Sequence, residues 1–175
     1  MKKFCFGLMA LLMMTLTIQA QSSPEGKARV EEIRKMYAEA KEIMANKKKA
    51  ELPPDETVVT SNYMAPGAGP IKDVTHYYDT GDFDENLGNM FYTPYFITRK
   101  YNVGAREYYE EFLFDEGDLV FYFIKSENDE TRYYWGPNNF FYEAIKGQKQ
   151  MDEVFASRLA QELTSAFNNL MNREF

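Results

Sequence analysis

The sequence is poor in the side chains on which most metal sites and many catalytic sites depend. Its 175 residues include one cysteine, Cys5, and one histidine, His76. Structural zinc sites take several His or Cys ligands, and a nucleophilic triad takes a histidine held by partners. The sequence also lacks a phosphate-binding glycine loop, a dinucleotide fingerprint and a nucleophile elbow. We therefore predict no catalytic residue, no metal site and no cofactor, and we interpret His76 as an ordinary strand residue.

The sequence has one long apolar run, and it lies at the N-terminus. Two lysines precede the almost wholly apolar run from Phe4 to Ile18, and the small residue Ala20 follows it. This order is typical of a secretory signal peptide, and the run is short for a membrane span. An uncleaved membrane anchor is the alternative. We predict a signal peptide at 1–20, a single α+β domain at 21–175, and a periplasmic or extracellular location without a membrane span.

Positive charge is scarce. The chain carries a net charge of −7, and removal of Lys2 and Lys3 with the signal leaves 18 Lys and Arg against 27 Asp and Glu, or −9. Nucleic acids and anionic lipids are bound through clustered cations. The lysine run 47–49 falls in the predicted last turn of a helix, where cations meet the negative end of the helix dipole. We therefore expect no nucleic-acid partner.

Two amphipathic helices are predicted, one at each end of the domain. The first, about 24–50, has Ser23 as N-cap and Pro24 at its first position. The second, about 148–174, contains neither glycine nor proline. Apolar residues recur in both at spacings of three and four, which places them on one stripe of each helix. The stripes consist of Val30, Ile33, Tyr37, Ala40 and Met44, and of Phe155, Leu159, Leu163, Phe167 and Leu170.

The intervening segment, about 57–146, has strand and turn composition, with loops predicted at 65–70 and 80–90. No stretch inside it is long and periodic enough for a helix, so successive strands should pair antiparallel. The predicted fold is α+β, an antiparallel β-meander of six or seven strands with both amphipathic helices packed on one face. A curled half-barrel with the helices closing its mouth is the alternative.

The stretch YYEEFLFDEGDLVFYFI, residues 108–124, predicts a hairpin with two apolar faces. A type I turn followed by a left-handed Gly117 would place Phe112 opposite Val120. A sheet with one solvated face should alternate clearly. Either both faces are covered, or one is an open aromatic platform for a sugar ring or a protein partner. The candidate binding residues of such a platform are Tyr108, Tyr122, Tyr134, Tyr142 and Trp135.

Carboxylates among the aromatic residues allow an enzymatic alternative. A glycosidase needs two acids, and Glu110, Glu111 and Glu143 are the candidates. Glu110 and Glu111 are neighbours on one strand and point to opposite faces, so they cannot form one acid/base pair.

The loop DFDENLGNM resembles the first half of an EF-hand calcium loop in its alternation of Asp82, Asp84 and Asn86. Leu87 stands where that loop requires glycine, and Thr93 stands where it requires a bidentate glutamate. We interpret the segment as a polar loop without a metal.

Three segments, TVVTSNYMAPGAGP, PYFITRKYN and EEFLFDEG, resemble small exported proteins of Gram-negative anaerobes that have no assigned function. The similarity covers roughly 57–135, together with the signal and the first helix. The resemblance implies export, but it implies no mechanism and assigns no functional residue. We predict a small exported, non-enzymatic binding module for a glycan or a protein partner at the cell envelope. A carboxylate-dependent glycan hydrolase and a structural cell-envelope protein are the alternatives.

Overall fold

The computed structural model describes residues 23–49, 56–84, 89–137 and 140–171, so the predicted signal peptide lies outside the described residues. Two helices flank seven strands: α1 (Pro24–Lys49) precedes the sheet, and α2 (Glu153–Met171) follows it. The strands are β1 (Glu56–Ala65), β2 (Gly69–Asp84), β3 (Asn89–Val103), β4 (Arg106–Asp115), β5 (Asp118–Ser126), β6 (Asp129–Gly136) and β7 (Phe140–Lys146).

The strands form one sheet in the order β1 to β7, and each pairs antiparallel with the next. The predicted α+β meander is therefore confirmed. The loop predicted at 80–90 is wrong, because β2 continues to Asp84 and β3 begins at Asn89. Thr80 pairs with Thr93 in this extension, and β-branched residues favour strands.

The two helices lie on opposite faces of the sheet, so the prediction that both cover one face is wrong. One face, here the α1 face, packs Phe96, Leu113, Phe121 and Tyr134 against α1. The other, the α2 face, packs Ile97, Phe112, Tyr122 and Tyr133 against α2. Side chains alternate between faces along a strand, and β4 and β5 are apolar at both parities. Each face therefore needs its own cover.

The hairpin between β4 and β5 has a tighter turn than predicted. Asp115 pairs with Asp118, which leaves a loop of two residues. Glu116 and Gly117 both have positive φ, 50° and 89°, as in a type I′ turn. A register shift between Leu113 and Phe114 adds one more residue, so Phe112 pairs with Tyr122 rather than with Val120.

Helix α1 begins as the sequence predicts. The Oγ of Ser23 accepts a hydrogen bond from the amide of Gly26 at 3.0 Å, which is the geometry of an N-cap. The predicted stripe is confirmed, since Val30, Ile33 and Ala40 are buried.

Replacing Ser23 by alanine is expected to lower the free energy of unfolding by about 1 kcal/mol, because the Gly26 amide loses its acceptor. Urea melts would measure this loss. Ser165→Ala, at an exposed position inside α2, is the matched control and should change stability by less than about 0.5 kcal/mol. Equal values for the two variants would contradict the capping role.

Helix α2 begins at Glu153, later than the predicted 148. The Oδ1 of Asp152 accepts a hydrogen bond from the amide of Val154 at 2.9 Å and caps the helix. The preceding segment lies along β6 instead, where the Gln150 amide donates to Thr131 Oγ1 at 3.0 Å. The hydroxyl of Tyr133 also donates to the carbonyl oxygen of Met151.

The stripe predicted for α2 is partly wrong. Phe155 is 61% exposed, and Leu170 is also exposed. The buried positions are Ala156, Ala160 and Phe167, so the contact stripe is shifted by one residue at the N-terminal end. Small residues there let the helix approach the sheet closely, a feature that a search for large apolar residues misses.

Candidate binding groove between α1 and the sheet

A groove of about 280 Å³ lies between α1 and the α1 face of the sheet. We call it the α1 groove. Its lining combines aromatic rings with three charged side chains. The lining residues are Ile33, Arg34, Tyr37, Glu111, Phe121, Phe123, Arg132 and Tyr134.

Helix α1 supplies one wall of the groove. Ile33 and Tyr37 are one turn apart on the buried stripe, and Arg34 follows Ile33 at its edge. Ile33 is fully buried and fixes the height of the helix over the sheet. The ring of Tyr37 meets the ring of Phe121 edge to face, with centroids 5.2 Å apart. Arg34 and Tyr37 thus lie on a segment of α1 that packing against the sheet holds in place.

The floor comes from three adjacent strands. Phe121 of β5 pairs with Tyr134 of β6, and Phe123 pairs with Arg132 on the same two strands. Glu111 of β4 stands opposite Phe123 on the other side. These residues share a face because they occupy alternate positions along their strands. The meander therefore brings them together without a long loop.

Glu111 is buried and is held by three donors. The hydroxyl of Tyr37 donates to Oε2 at 2.6 Å, and the hydroxyl of Tyr109 donates to Oε1 at 2.8 Å. The Nζ of Lys41 lies 2.7 Å from Oε1, and this ion pair balances the charge of the carboxylate. Buried carboxylates are stable when they are paired and hydrogen-bonded in this way. Both oxygens of Glu111 are therefore engaged by the protein itself.

The two tyrosines that hold Glu111 stay protonated. Burial raises the pKa of Tyr37 above its ordinary value of 10.0, and the hydrogen bond to Glu111 raises it further. Burial and the charge of Glu111 raise the pKa of Tyr109 in the same direction. Both hydroxyls therefore act as donors to the carboxylate across the neutral pH range.

Two arginines line the groove beside this neutralised carboxylate. The guanidinium of Arg132 lies over the ring of Phe123, 4.8 Å from its centroid, and its Nη2 pairs with Glu130 at 2.8 Å. The guanidinium of Arg34 contacts the hydroxyl of Tyr134, which raises the pKa of Arg34, and its Nη1 pairs with Glu31 at 3.1 Å. Arg132 thus combines a contact to a ring face with one ion pair, and Arg34 combines an interaction with the Tyr134 hydroxyl with one ion pair.

The α2 face holds a different charged cluster, which we call the Arg99 cluster: Arg99, Asp73 and Glu110. The Nε of Arg99 donates to Asp73 Oδ2 at 2.9 Å, and its Nη1 lies 3.2 Å from Glu110 Oε2. The hydroxyl of Tyr122 donates to Glu110 Oε1 at 2.8 Å. The ring of Tyr101 lies 4.4 Å from the guanidinium. The cluster is closed by these mutual contacts.

Burial dominates the protonation of this cluster. It raises the pKa of Glu110 above its ordinary value of 4.5, although Arg99 and the Tyr122 hydroxyl oppose that shift. The pKa of Tyr122 is raised well above 10.0, again first by burial and then by Glu110. Arg99 is the one cation among the contacts of Glu110 described above, so it determines whether this carboxylate can stay ionised.

Of the two alternatives for the faces of the hairpin, the structure agrees with the covered one and not with an open platform that includes Tyr122. Tyr122 is fully buried, and its hydroxyl lies between Glu110 and the sulfur of Met151. The five candidate residues also divide between faces. Tyr108, Tyr122 and Trp135 pack with the α2 face, whereas Tyr134 and Tyr142 pack with the α1 face. Of the five, only Tyr134 lines the α1 groove.

The other carboxylates do not converge on a cleft within the described ranges. Glu110 and Glu111 lie in opposite clusters, as predicted. Glu143 pairs with Lys149 at 2.7 Å. His76 lies on β2, where its Nδ1 is 2.5 Å from Glu56 Oε1 and its ring stacks on Tyr78.

The calcium-like segment lies partly outside the described residues. Asn86 lies outside the described residues, while the backbones of Asp82 and Asp84 belong to β2. In the part of the chain that the structure describes, no group of three or more His, Cys, Asp or Glu side chains is placed to hold a metal.

Sequence reasoning missed three residues of the groove: Arg34, Tyr37 and Arg132. The sequence pattern assigns Tyr37 to the stripe of the first helix, and it singles out neither arginine. A usable signal was present at Arg132, which stands between Glu130 and Tyr134 at alternate positions of β6 and so shares their face. The partner Arg34 is remote in sequence, and only the packing of α1 brings it to that face.

No protein-family model, no curated protein and no solved structure matches this chain. Among the described residues, none of the helices is long and apolar enough to cross a membrane.

Proposed function

We propose that this protein is a small exported, non-enzymatic binding module that holds one sugar unit of a glycan in the α1 groove at the cell envelope. The observation that carries the proposal is the groove itself, where aromatic rings and two arginines line a space of about 280 Å³. The export signal in the sequence and the resemblance to exported proteins support the location.

The size of the groove favours a small ring over a protein surface. Sites for drug-sized ligands occupy about 300–1,000 Å³. The α1 groove, at about 280 Å³, lies just below this range and suits a single ring. Specific protein interfaces bury about 800 Å² on each partner, mostly over flatter surfaces. A glycan therefore fits the groove better than a protein partner does.

The lining favours binding over catalysis. Hydrolysis of a glycosidic bond requires two carboxylates with complementary protonation. Among the described lining residues, Glu111 is the one carboxylate, and Tyr37, Tyr109 and Lys41 occupy its oxygens. The half-buried ring of Phe123 offers apolar surface on which a sugar ring can pack.

Removal of the Phe123 ring is expected to weaken glycan binding by about tenfold, the effect of truncating a central aromatic contact. The experiment screens an array of neutral and acidic oligosaccharides and then measures the best binder by calorimetry. Phe155→Ala is the matched control, because Phe155 is an exposed ring on α2 and also lies under an arginine. Its affinity should equal that of the unaltered protein.

Two results would contradict the proposal. The first is an array on which no glycan is retained. The second is a bound glycan whose affinity is the same for Phe123→Ala, Phe155→Ala and the unaltered protein. Thermal melts of both variants confirm that each is folded before binding is compared.

A further inference from the structure

We infer that the α1 groove selects an acidic ligand, a six-membered ring bearing a carboxylate, and that Arg34 and Arg132 form its anion-binding site. A uronic acid unit of an acidic glycan has this chemistry. The inference rests on the proposed function for the sugar ring of the ligand, whereas the evidence for binding of the ligand carboxylate does not depend on that function.

The lining of the groove carries two positive charges against one negative charge, and the partners of the two arginines, Glu31 and Glu130, lie outside that lining. The protein as a whole carries −7. Two of the three charged residues that line the groove are arginines. The third, Glu111, is balanced by Lys41 at 2.7 Å. A groove with a positive lining in an acidic protein is complementary to an anion, and charge complementarity of this kind selects the partner.

The existing ion pairs of the two arginines are easily exchanged. Arg34 and Glu31 are both more than half exposed, and exposed ion pairs between neighbouring helix turns are weak. Arg132 contacts Glu130 through Nη2 alone. A guanidinium has five N–H donors in a planar fork, so one contact leaves geometry suited to a second carboxylate.

The stacking on Phe123 holds the guanidinium of Arg132 in place before a ligand arrives. Arg132 is stacked on Phe123, and Arg34 contacts the buried Tyr134. Phe121 and Tyr134 are neighbours on the floor, with centroids 5.0 Å apart. A ligand ring held in the groove lies beside Arg34 and Arg132, so a carboxylate on that ring can reach their guanidinium groups. Arginine suits such a site better than lysine does, because its fork matches the carboxylate plane.

The test compares three small compounds by NMR titration of the full chain: methyl β-D-glucuronide, methyl β-D-glucoside and benzoate. We expect the glucuronide to bind at least about tenfold more tightly than the glucoside, since charge-assisted hydrogen bonds are the strong ones. Raising the salt concentration should weaken binding of the glucuronide and leave that of the glucoside unchanged.

Variants locate the anion-binding site. Arg34→Gln and Arg132→Gln should each weaken glucuronide binding by about tenfold, and Arg132→Lys, which keeps the charge but not the fork, by several-fold. Arg158→Gln is the matched control, because Arg158 lies 5.4 Å from the centroid of the Phe155 ring on α2. This variant should bind the glucuronide as tightly as the unaltered protein does. The salt and compound comparisons on the unaltered protein decide the matter if a variant fails to fold.

The outcomes separate this inference from the proposed function. Equal affinity for glucoside and glucuronide, unaffected by the arginine variants, overturns the acidic selectivity and leaves a neutral glycan site. Binding of benzoate alone, lost in Arg34→Gln and Arg132→Gln, supports the anion-binding site and overturns the glycan function. Absence of binding by all three compounds overturns the glycan function and the anion-binding site. Tight, salt-sensitive binding of the glucuronide supports both claims if it is lost in Arg34→Gln and in Arg132→Gln.

Discussion

Arg99→Met is expected to lower the free energy of unfolding by about 3–5 kcal/mol at neutral pH, the range for removing one partner of a buried ion pair. Arg99 bridges Asp73 and Glu110 on the α2 face. Its removal leaves Glu110, which is fully buried, without a cation among the contacts that hold it. Urea melts at pH 7 measure the loss.

The loss should shrink at low pH, and the sign follows from Glu110. Burial raises the pKa of Glu110 above 4.5, and the cation of Arg99 opposes that shift. Between pH 4.5 and the raised value the folded protein holds a proton that the unfolded chain has released, so stability falls as pH rises through this window. Without Arg99 the pKa of Glu110 rises further, so the pH range over which stability falls extends to higher pH. Melts of Arg99→Met at pH 5 should therefore show a smaller deficit than melts at pH 7.

Arg158→Met is the control for this experiment, since Arg158 is an exposed arginine over an aromatic ring on α2. It should change stability by less than about 0.5 kcal/mol at either pH. A loss below about 1 kcal/mol for Arg99→Met, or a deficit that is the same at both pH values, would contradict the buried ion-pair network.

Tyr122→Ala is expected to cost about 3–5 kcal/mol, the range for truncating a buried aromatic side chain. The ring is fully buried between Phe112 and Tyr133, with centroids at 5.0 and 6.1 Å. The variant also removes the hydroxyl that donates to Glu110. Tyr122→Phe isolates that hydroxyl and should cost about 1–3 kcal/mol, the penalty for a buried acceptor that loses its donor.

Phe123→Ala is the informative comparison, because Phe123 is the next residue and is only half buried on the α1 face. Its loss should be clearly smaller than that of Tyr122→Ala, near the average of about 1 kcal/mol for point variants. An open aromatic platform that included Tyr122 predicts the reverse order. If urea melts showed Phe123→Ala to be less stable than Tyr122→Ala, they would favour an open platform at Tyr122 and contradict the burial of that residue.

Local patterns in the sequence predict the elements of this fold well. Ser23 caps α1, the stripe from Val30 to Ala40 is buried, and the strands occur in the predicted order. These features depend on residues close in sequence, where periodicity and capping chemistry act directly. Composition also shows that β4 and β5 have two apolar faces.

The sequence did not predict which helix packs on which face of the sheet. Alternation in β4 indicates that both faces need a cover, but it does not say which helix supplies each. The register of the hairpin depended on Glu116 adopting a positive φ, which is uncommon for a residue with a Cβ. A shift of two residues keeps every side chain on its face, so the predicted faces of Glu110 and Phe112 survive the wrong register.

The candidate site was predictable only in part, because it is assembled across the chain. Tyr134 was a candidate from its place in an aromatic strand, and it lines the groove. Arg34 belongs to a helix whose docking face the sequence left open. Glu111 was considered as a catalytic acid, but three donors engage it, and two of them come from α1. Local sequence pattern therefore identifies candidate side chains, and tertiary packing determines their roles.

The most direct measurement of the central claim is the side-chain ¹⁵N spectrum of the arginines during titration with methyl β-D-glucuronide. If the α1 groove holds the ligand carboxylate, the guanidinium signals of Arg34 and Arg132 shift together and saturate at one affinity. The signal of Arg158 on α2 stays unchanged. Shifts confined to Arg99 or Arg158, or the absence of a saturable shift at Arg34 and Arg132, would contradict the account.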